Sequence, residues 1–186
     1  MDLKIKYIDE TITYDGSQLC AHFAYKNYGI QGDSLVCFEG PCNIPQENMA
    51  DLEDVIEGEE IYSDSMLHFI GEFFFSSLQE VVLYQRIFAS IIKDVILKKT
   101  TKNLLRDGDD LFLREKKLSI SIATVTGVST VFHFAMNTDS KNTPVDTISL
   151  GELGIEDIHE FANIILEKMQ EEVTKARLAV CKVRVK

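Results

Sequence analysis

The chain of 186 residues is long enough to bury the core of one domain, and its hydrophobic (45%) and charged (26%) fractions are typical of a folded, globular protein. The formal net charge of −11 argues against non-specific nucleic-acid binding, which depends on Lys and Arg neutralising phosphates. The longest apolar stretches are interrupted by charge well before the roughly 20 residues that a membrane span needs, and the N-terminus lacks the apolar core of a signal peptide. We therefore expect a cytoplasmic protein that binds neither nucleic acid nor membrane.

The first forty residues predict a strand, a helix and a second strand. Apolar residues alternate with charges over residues 3–7, which is the pattern of a half-buried strand. A turn containing Asp15 and Ser17 precedes a helix expected over residues 18–28. A short apolar strand is predicted over residues 34–39, ending at a Gly-Pro turn.

The next segment is acidic and is followed by apolar elements. Residues 46–64 predict a surface loop containing a short helical turn, and the length of this loop suggests a functional role. Residues 66–75 are apolar and fit either a strand or a helix. Apolar residues then recur at helical spacing over residues 79–97, which predicts an amphipathic helix.

The second half of the chain predicts a hairpin and a long helix. Residues 111–113 and 118–125 form strands around a charged turn, and residues 128–138 return antiparallel to the second of them. A helix is expected over residues 155–173, followed by a closing strand over residues 180–185. Antiparallel strands with segregated helices indicate an α+β fold.

The four cysteines do not have the spacing of a metal site. No Cys-x-x-Cys is present, and the pair Cys37 and Cys42 lacks a second close pair; the other two are Cys20 and Cys181. We expect reduced and mostly buried thiols.

One strand combines a lysine with a face of small side chains. After Lys117, the residues alternate between one face with Leu118, Ile120 and Ile122 and another with Ser119, Ser121 and Ala123. A face without bulky side chains lets a ligand lie against the backbone, while the ammonium of Lys117 meets an anion. The alternative is a small-residue face packed under a helix, with Lys117 in solvent.

These residues resemble motifs of the biotin and lipoate protein ligases. Gly108-Asp109-Asp110-Leu111 is similar to their Gly-Arg-Asn-Asp-like turn, Lys117 to Ile120 to their lysine strand, and Phe134 to Asp139 to their return strand. The specific match covers residues 106–139. The resemblance implies a single α+β domain over residues 1–186, with a mixed, mainly antiparallel sheet and flanking helices.

A narrower resemblance is to an uncharacterised family catalogued as domain of unknown function 366. It is carried by four short motifs: Gly32-Asp33-Ser34, Met66 to Ile70, Gln85-Arg86 and Lys117 to Thr124. This resemblance implies the same fold and no established activity.

The ligase resemblance implies roles for several residues. In those enzymes the lysine binds the acyl carboxylate and the phosphate of an acyl-adenylate, so Lys117 would be the catalytic cation here. Asn137, with Asp109 or Asp110, would help to place a nucleotide or a metal, and MgATP is the implied cofactor. The ligases' Arg-Arg-x-Ser-Gly-Gly-Gly loop is absent, however, because the corresponding acidic segment has one glycine and no basic partner. This departure argues against ATP binding.

Other polar residues have two interpretations each. His68 and Glu72 would share a face of a helix and form a metal or acid/base site; the alternative is a satisfied core histidine, with the acidic run a solvated loop. His133 faces either the cleft or the core. Arg86 and Arg106 contact an anionic ligand or form structural salt bridges.

The sequence therefore predicts a ligase-like or acyltransferase-like enzyme that binds a small carboxylate or acyl compound, with transfer favoured over adenylation. Lys117 would hold the anion, and Ser119, Ser121 and Asn137 would line the site. The alternative is a non-catalytic module of the same fold that binds a small ligand or a partner. An acceptor protein and a homodimer are further expectations.

Overall fold

Eight strands and five α-helices occur in residues 2–184, the part of the chain that the computed structural model describes. The strands are β1 Lys4–Tyr7, β2 Ser34–Ile44, β3 Ile61–Phe73, β4 Leu105–Asp107, β5 Asp110–Leu113, β6 Lys116–Lys117, β7 Ser119–Val125 and β8 Thr130–Asn137. The helices are α1 Phe23–Tyr28, α2 Leu52–Glu57, α3 Leu78–Thr100, α4 Leu150–Leu153 and α5 Ile158–Cys181, and a single 3-10 turn spans Gln46–Asn48.

The strands form a large and a small sheet. The large sheet has the order β1-β2-β3-β8-β7, with β1 parallel to β2 and the other pairs antiparallel. The small sheet, β4-β5-β6, is antiparallel. This is the single α+β domain with a mixed, mainly antiparallel sheet that the sequence predicts.

One face of the large sheet packs against α3 and α5. The alternation of β3 sends Leu67 and Phe69 to this face, where they join Phe88 of α3 and Phe161 of α5 in the larger hydrophobic core. Edge-to-face contact between the Phe69 and Phe88 rings, whose centroids lie 5.0 Å apart, fills the layer between sheet and helix.

The opposite face of the large sheet is covered only in part. Tyr14 and Phe23 from the N-terminal region pack on Phe38, Met66 and Ala135 of the sheet and form a second, smaller core. The part of this face near β7 remains open and forms the cleft described below.

Strand β2 is longer than the sequence predicts. It passes through the expected Gly-Pro turn to Ile44, with a shift of register between Gly40 and Cys42. Gly40 is required because a Cβ atom there would lie 2.0 Å from the carbonyl oxygen of Ile12. This close approach brings the segment carrying Tyr14 onto the sheet.

Helix α3 agrees with the expected helix over residues 79–97. It begins with a capping box in which the Ser77 side chain accepts from Glu80 N–H and the Glu80 carboxylate accepts from Ser77 N–H. Its buried face carries Val81, Phe88 and Ile92.

Several expected boundaries were wrong. The first helix begins only at Phe23, and residues 61–64 of the predicted loop belong to β3, a strand that continues through the ambiguous apolar stretch. The strand predicted at residues 111–113 pairs with β6 in the small sheet rather than with residues 118–125. The β7–β8 hairpin agrees with the prediction.

The closing strand was also wrong. Helix α5 continues through Cys181, and residues 182–184 lie outside any strand; Val185 lies outside the described residues. Val180 and Val183 are exposed, so their alternation with charges does not reflect burial against a sheet. No helix within residues 2–184 is long and apolar enough to cross a membrane.

Candidate functional site

A cleft of about 540 Å³ opens on the face of the large sheet opposite α3 and α5. Strands β3, β7 and β8 form its floor, and two segments form its walls. We call residues 48–60 the acidic segment and residues 143–147 the opposite segment. Apolar side chains lie over much of the floor, among them Ile120, Ile122 and Met66.

Lys117 lies where the chain crosses from the small sheet to the large one. It is the last residue of β6, and its N–H donates to the Asp146 carbonyl oxygen while its own carbonyl accepts from Ile148 N–H. Backbone bonds on both sides hold this residue at the edge of the cleft. Its Nζ lies 2.9 Å from Asp110 Oδ2, and both side chains are about one third exposed, at 32% and 33%.

Asp109 and Asp110 have different partners. Asp109 Oδ2 accepts from Ser121 Oγ at 2.5 Å and from Gln85 Nε2 at 2.8 Å, so this carboxylate connects the β4–β5 turn to β7 and α3. Burial raises the pKa of Asp110, and its bond to Lys117 opposes that shift. Of the two carboxylates, Asp110 is therefore the one that forms the ion pair with Lys117.

The two faces of β7 have one of the two arrangements that the sequence allows, with the small-residue face packed under a helix. Ser119 Oγ accepts from Leu111 N–H at 3.0 Å, and the Ser121 hydroxyl bonds to Asp109, so both serine side chains engage the small sheet and α3. Ile120 packs with the core on the cleft side. Both serines line the cleft, but the apolar face of β7 forms its floor and the small-residue face packs beneath a helix.

Asn137 is the last residue of β8 and contacts Leu118, the residue after Lys117. Its Oδ1 accepts from Ser63 Oγ at 3.1 Å, and its Nδ2 donates to the Leu118 carbonyl oxygen at 3.2 Å. Asn137 is 5% exposed and lines the cleft. Its amide therefore fixes the chain on both sides of the site.

His133 faces the cleft rather than the helical core. Its Nε2 lies 3.1 Å from His68 Nδ1, and His68 Nε2 lies 3.1 Å from the Gly40 carbonyl oxygen. The Tyr14 ring stacks on the His133 ring, with centroids 3.7 Å apart and an interplanar angle of 8°. Burial lowers the pKa of His68 to about 4 and that of His133 well below its usual range, so both imidazoles are neutral near pH 7.

Arg86 and Arg106 lie outside the cleft. The Arg106 guanidinium donates to the Gly108 carbonyl oxygen, and the Arg86 guanidinium lies beside the same glycine at the β4–β5 turn. Neither arginine is among the residues that line the cleft. The structure thus brings both arginines to the β4–β5 turn, next to Gly108.

The predicted pairing of His68 with Glu72 rested on a helix, and that premise was wrong. Both residues lie on β3, where four residues span roughly 13 Å. Glu72 Oε1 accepts from His22 N–H at 2.8 Å and from Ser129 Oγ at 2.6 Å, far from the imidazole pair. Within residues 2–184, no group of three His, Cys, Asp or Glu side chains could hold a metal ion.

The acidic segment gives the cleft a strongly negative wall. The lining side chains include one ammonium, that of Lys117, and seven carboxylates: Asp51, Asp54, Glu57, Glu59, Glu60, Asp109 and Asp110. Burial and the neighbouring Asp51 raise the pKa of Asp54, while Lys117 opposes the shift. No arginine or glycine is among the described lining residues, so this wall does not fit the triphosphate of ATP.

Sequence reasoning missed two residues of the site. Tyr14 lies 54 residues before His68 in the sequence, and Ser63 lies in the segment that was expected to be a loop. The sequence shows Tyr14 only as a large side chain beside a turn, and that pattern does not identify its contact with His133 on the sheet.

Comparisons with known proteins agree with the sequence motifs. The model of a family described as domain of unknown function 366 matches residues 3–184. An uncharacterized protein of Methanocaldococcus jannaschii is 35% identical over 179 residues, which cover 93% of this chain and 80% of that protein. A protein of unknown function from Pyrococcus horikoshi has a solved structure that is 38% identical, with a TM-score of 0.92 over 99% of both chains.

More distant structures share the fold. The biotin protein ligase from Aquifex aeolicus, solved with biotin and ATP, is 14% identical with a TM-score of 0.59, over 92% of this chain and 71% of the ligase. A T. acidophilum protein described as a candidate lipoate protein ligase, with bound lipoic acid, is 14% identical with a TM-score of 0.60, over 94% of this chain and 87% of that one. At these identities the likeness concerns the fold alone.

Proposed function

This chain belongs to the family described as domain of unknown function 366, and we propose that it is an acyl-handling transferase whose Lys117 holds the anionic oxygen of the substrate. One observation carries the proposal. The ammonium of Lys117 lies at the edge of a cleft of about 540 Å³ with an apolar floor, a size suited to a small organic ligand.

The cleft can separate the two ends of an acyl compound. The hydrocarbon chain would lie on Ile120, Ile122 and Met66, where burial stabilises it by roughly 0.8 kcal/mol per methylene. The carbonyl carbon would lie at the edge, next to Lys117. An ammonium there lowers the energy of negative charge that develops on the carbonyl oxygen.

The charge of the walls favours transfer of an acyl group over binding of ATP. Seven carboxylates line the cleft, and they repel a triphosphate several times more strongly than the single carboxylate of a small acid. A thioester or ester is neutral and enters without that repulsion. When a nucleophile adds to its carbonyl carbon, the oxygen becomes negative beside Lys117; the intermediate then collapses, and the leaving thiol departs with the proton that the nucleophile lost.

The acidic segment also suits the acceptor. An amine approaches as an ammonium, which the carboxylates of residues 48–60 attract and concentrate near the cleft, and it releases one proton to solvent before it adds as the neutral amine. The acceptor class supported by this wall is therefore a cationic amine, either free or as a lysine side chain of an acceptor protein.

A non-catalytic binding module is the second candidate. It is favoured by the ion pair between Lys117 and Asp110, because an ammonium that is already neutralised stabilises a developing oxyanion less. Turnover separates the two candidates.

The test uses S-ethyl octanethioate, a neutral thioester, as donor and butylamine as acceptor, with amide formation measured by mass spectrometry. Lys117→Ala is compared with Lys116→Ala, which removes the neighbouring, more exposed lysine that pairs with Asp146 at 3.6 Å. We expect a loss of about 100-fold in rate for Lys117→Ala, as for removal of an oxyanion-stabilising group, and no change for Lys116→Ala. Binding without turnover would favour the module, and the absence of both in the native protein would refute the proposal.

A further inference from the structure

The floor of the cleft contains two buried side chains, each with one polar atom that has no partner in the protein. They belong to Tyr14 and His133, which are each 1% exposed and stacked on one another. The chemistry of the ligand's inner end can be inferred from them. This deepens the proposed function, because it concerns the same cleft, but it does not depend on Lys117.

The hydrogen bond to the Gly40 carbonyl oxygen determines the tautomers of His68 and His133. The Gly40 carbonyl oxygen can only accept, so His68 Nε2 must carry a proton. In a neutral ring His68 Nδ1 is then an acceptor, and the bond between the rings requires a proton on His133 Nε2. His133 Nδ1 is left as a bare acceptor.

The two rings stay neutral under ordinary conditions. Burial lowers the pKa of both imidazoles, and it raises the pKa of the Tyr14 hydroxyl. Around the stack, Phe38 packs against His68 at a centroid distance of 5.1 Å, which adds apolar surroundings. The hydrogen bonds from Gly40 through His68 to His133 therefore keep one tautomer in each ring.

Both free atoms must face the open volume of the cleft. Within residues 2–184, neither His133 Nδ1 nor the Tyr14 hydroxyl has a hydrogen-bond partner in the protein, yet no side-chain nitrogen or oxygen there is both fully enclosed and unpaired. The two side chains line the cleft. The unpaired atoms consequently touch the space that a ligand would fill.

We infer that the floor of this cleft recognises a neutral group with a hydrogen-bond donor, such as a carboxamide, through His133 Nδ1, with the Tyr14 hydroxyl donating to the carbonyl oxygen of the same group. A ligand without a donor leaves His133 Nδ1 desolvated and unpaired, which costs enough to change affinity about tenfold. His68 is a positioning residue, since it acts only by orienting the proton on His133. The ligand class is thus an acyl compound whose inner end is an uncharged amide.

The first measurement is the tautomer of His133 in the native protein. A long-range ¹H–¹⁵N spectrum distinguishes protonated from unprotonated ring nitrogens and needs neither a variant nor a ligand. We expect an unprotonated Nδ1 and a protonated Nε2 for His133. A proton on Nδ1 would overturn the inference.

The second measurement compares two probes of equal size by NMR titration. Hexanamide carries a donor and an acceptor, and heptan-2-one carries only the acceptor. We expect hexanamide to bind about tenfold more tightly, with the preference lost in His133→Leu and retained in His159→Leu, which changes a histidine that does not line the cleft. Equal affinity, or no binding of either probe, overturns the inference.

The outcome is distinguishable from that of the acyl-transfer assay. Hexanamide has no charge for Lys117 to hold, so its preference over the ketone should persist in Lys117→Ala. Selective binding of hexanamide in a protein without transferase activity would keep this inference and remove the proposed function. Transfer activity with no preference between the probes would keep the proposed function and remove this inference.

Discussion

Replacing Asp110 with Asn should strengthen the binding of an anionic acyl compound. In the native protein, a carboxylate ligand must displace Asp110 from Lys117, because Asp110 Oδ2 lies 2.9 Å from Nζ. Asn keeps the size of the side chain and removes the competing charge. The repulsion between Asp110 and the ligand's carboxylate is removed at the same time.

The magnitude follows from the exposure of the pair. At this separation the bare attraction would be about 6 kcal/mol with an effective dielectric constant near 20. Both groups are about one third exposed, at 32% and 33%, so solvent screens most of that energy. Exposed pairs contribute about 0.2–1 kcal/mol, and we therefore expect the affinity for octanoate to rise about fivefold.

The assay is isothermal titration of octanoate into four proteins: the native chain, Asp110→Asn, Lys117→Ala, and the double variant. Asp146→Asn is the matched control. Asp146 pairs at 3.6 Å with Lys116, which precedes Lys117 on β6. The gain should be smaller when the double variant is compared with Lys117→Ala, because without the ammonium only the removal of the repulsion from Asp110 is left. Weaker binding by Asp110→Asn, or an equal gain in the control, would refute the reasoning.

Three further predictions concern the fold. Phe88→Ala removes a ring buried between α3 and the sheet and should lower the free energy of unfolding in urea by about 3–5 kcal/mol; a loss below about 1 kcal/mol would contradict the described packing. Ser77→Ala removes the cap of α3 and should cost about 1 kcal/mol, whereas Ser90→Ala, inside the same helix, should cost less; equal effects would contradict the capping box. Burial lowers the pKa of His68 to about 4, so the unfolded chain binds more protons between about pH 6.5 and pH 4, and His68 should contribute about 2 kcal/mol to the fall in stability from pH 6.5 to pH 5, in addition to the contribution of His133. A stability that does not change over this range in the native protein, or the same fall in His68→Leu, would contradict that assignment.

Much of the fold could be predicted because its elements carry strong local patterns. Helix α3 has apolar residues at helical spacing, and the β7–β8 hairpin has alternation on both sides of a Gly-containing turn. Lys117 lies beside the cleft, but it belongs to β6 and not to the strand that follows it. These features depend on residues that are near one another in the chain.

The orientation of β7 could not be predicted from its own residues. A strand with serines on one face and isoleucines on the other fits either a cleft over the serines or a cleft over the isoleucines. The choice is made by partners distant in sequence, since Ser121 bonds to Asp109 and Gln85 beneath α3. That packing leaves the apolar face of β7 toward the cleft.

The histidine stack is non-local in the same way. His68 and His133 are 65 residues apart, and both contact a tyrosine that reaches them through the close approach of Ile12 to Gly40. No spacing rule links such residues. The closing strand failed for a different reason: the Val residues that alternate there with Lys and Arg are exposed, at the end of α5 and just beyond it, so the alternation has no buried face.

The central claim is that Lys117 and the apolar floor hold the two ends of one acyl compound. A crystal structure of the protein with octanoate tests this most directly. The claim predicts the carboxylate within hydrogen-bond distance of Lys117 Nζ and the hydrocarbon chain against Ile120 and Ile122. Octanoate bound elsewhere, or its carboxylate directed away from Lys117, would contradict it.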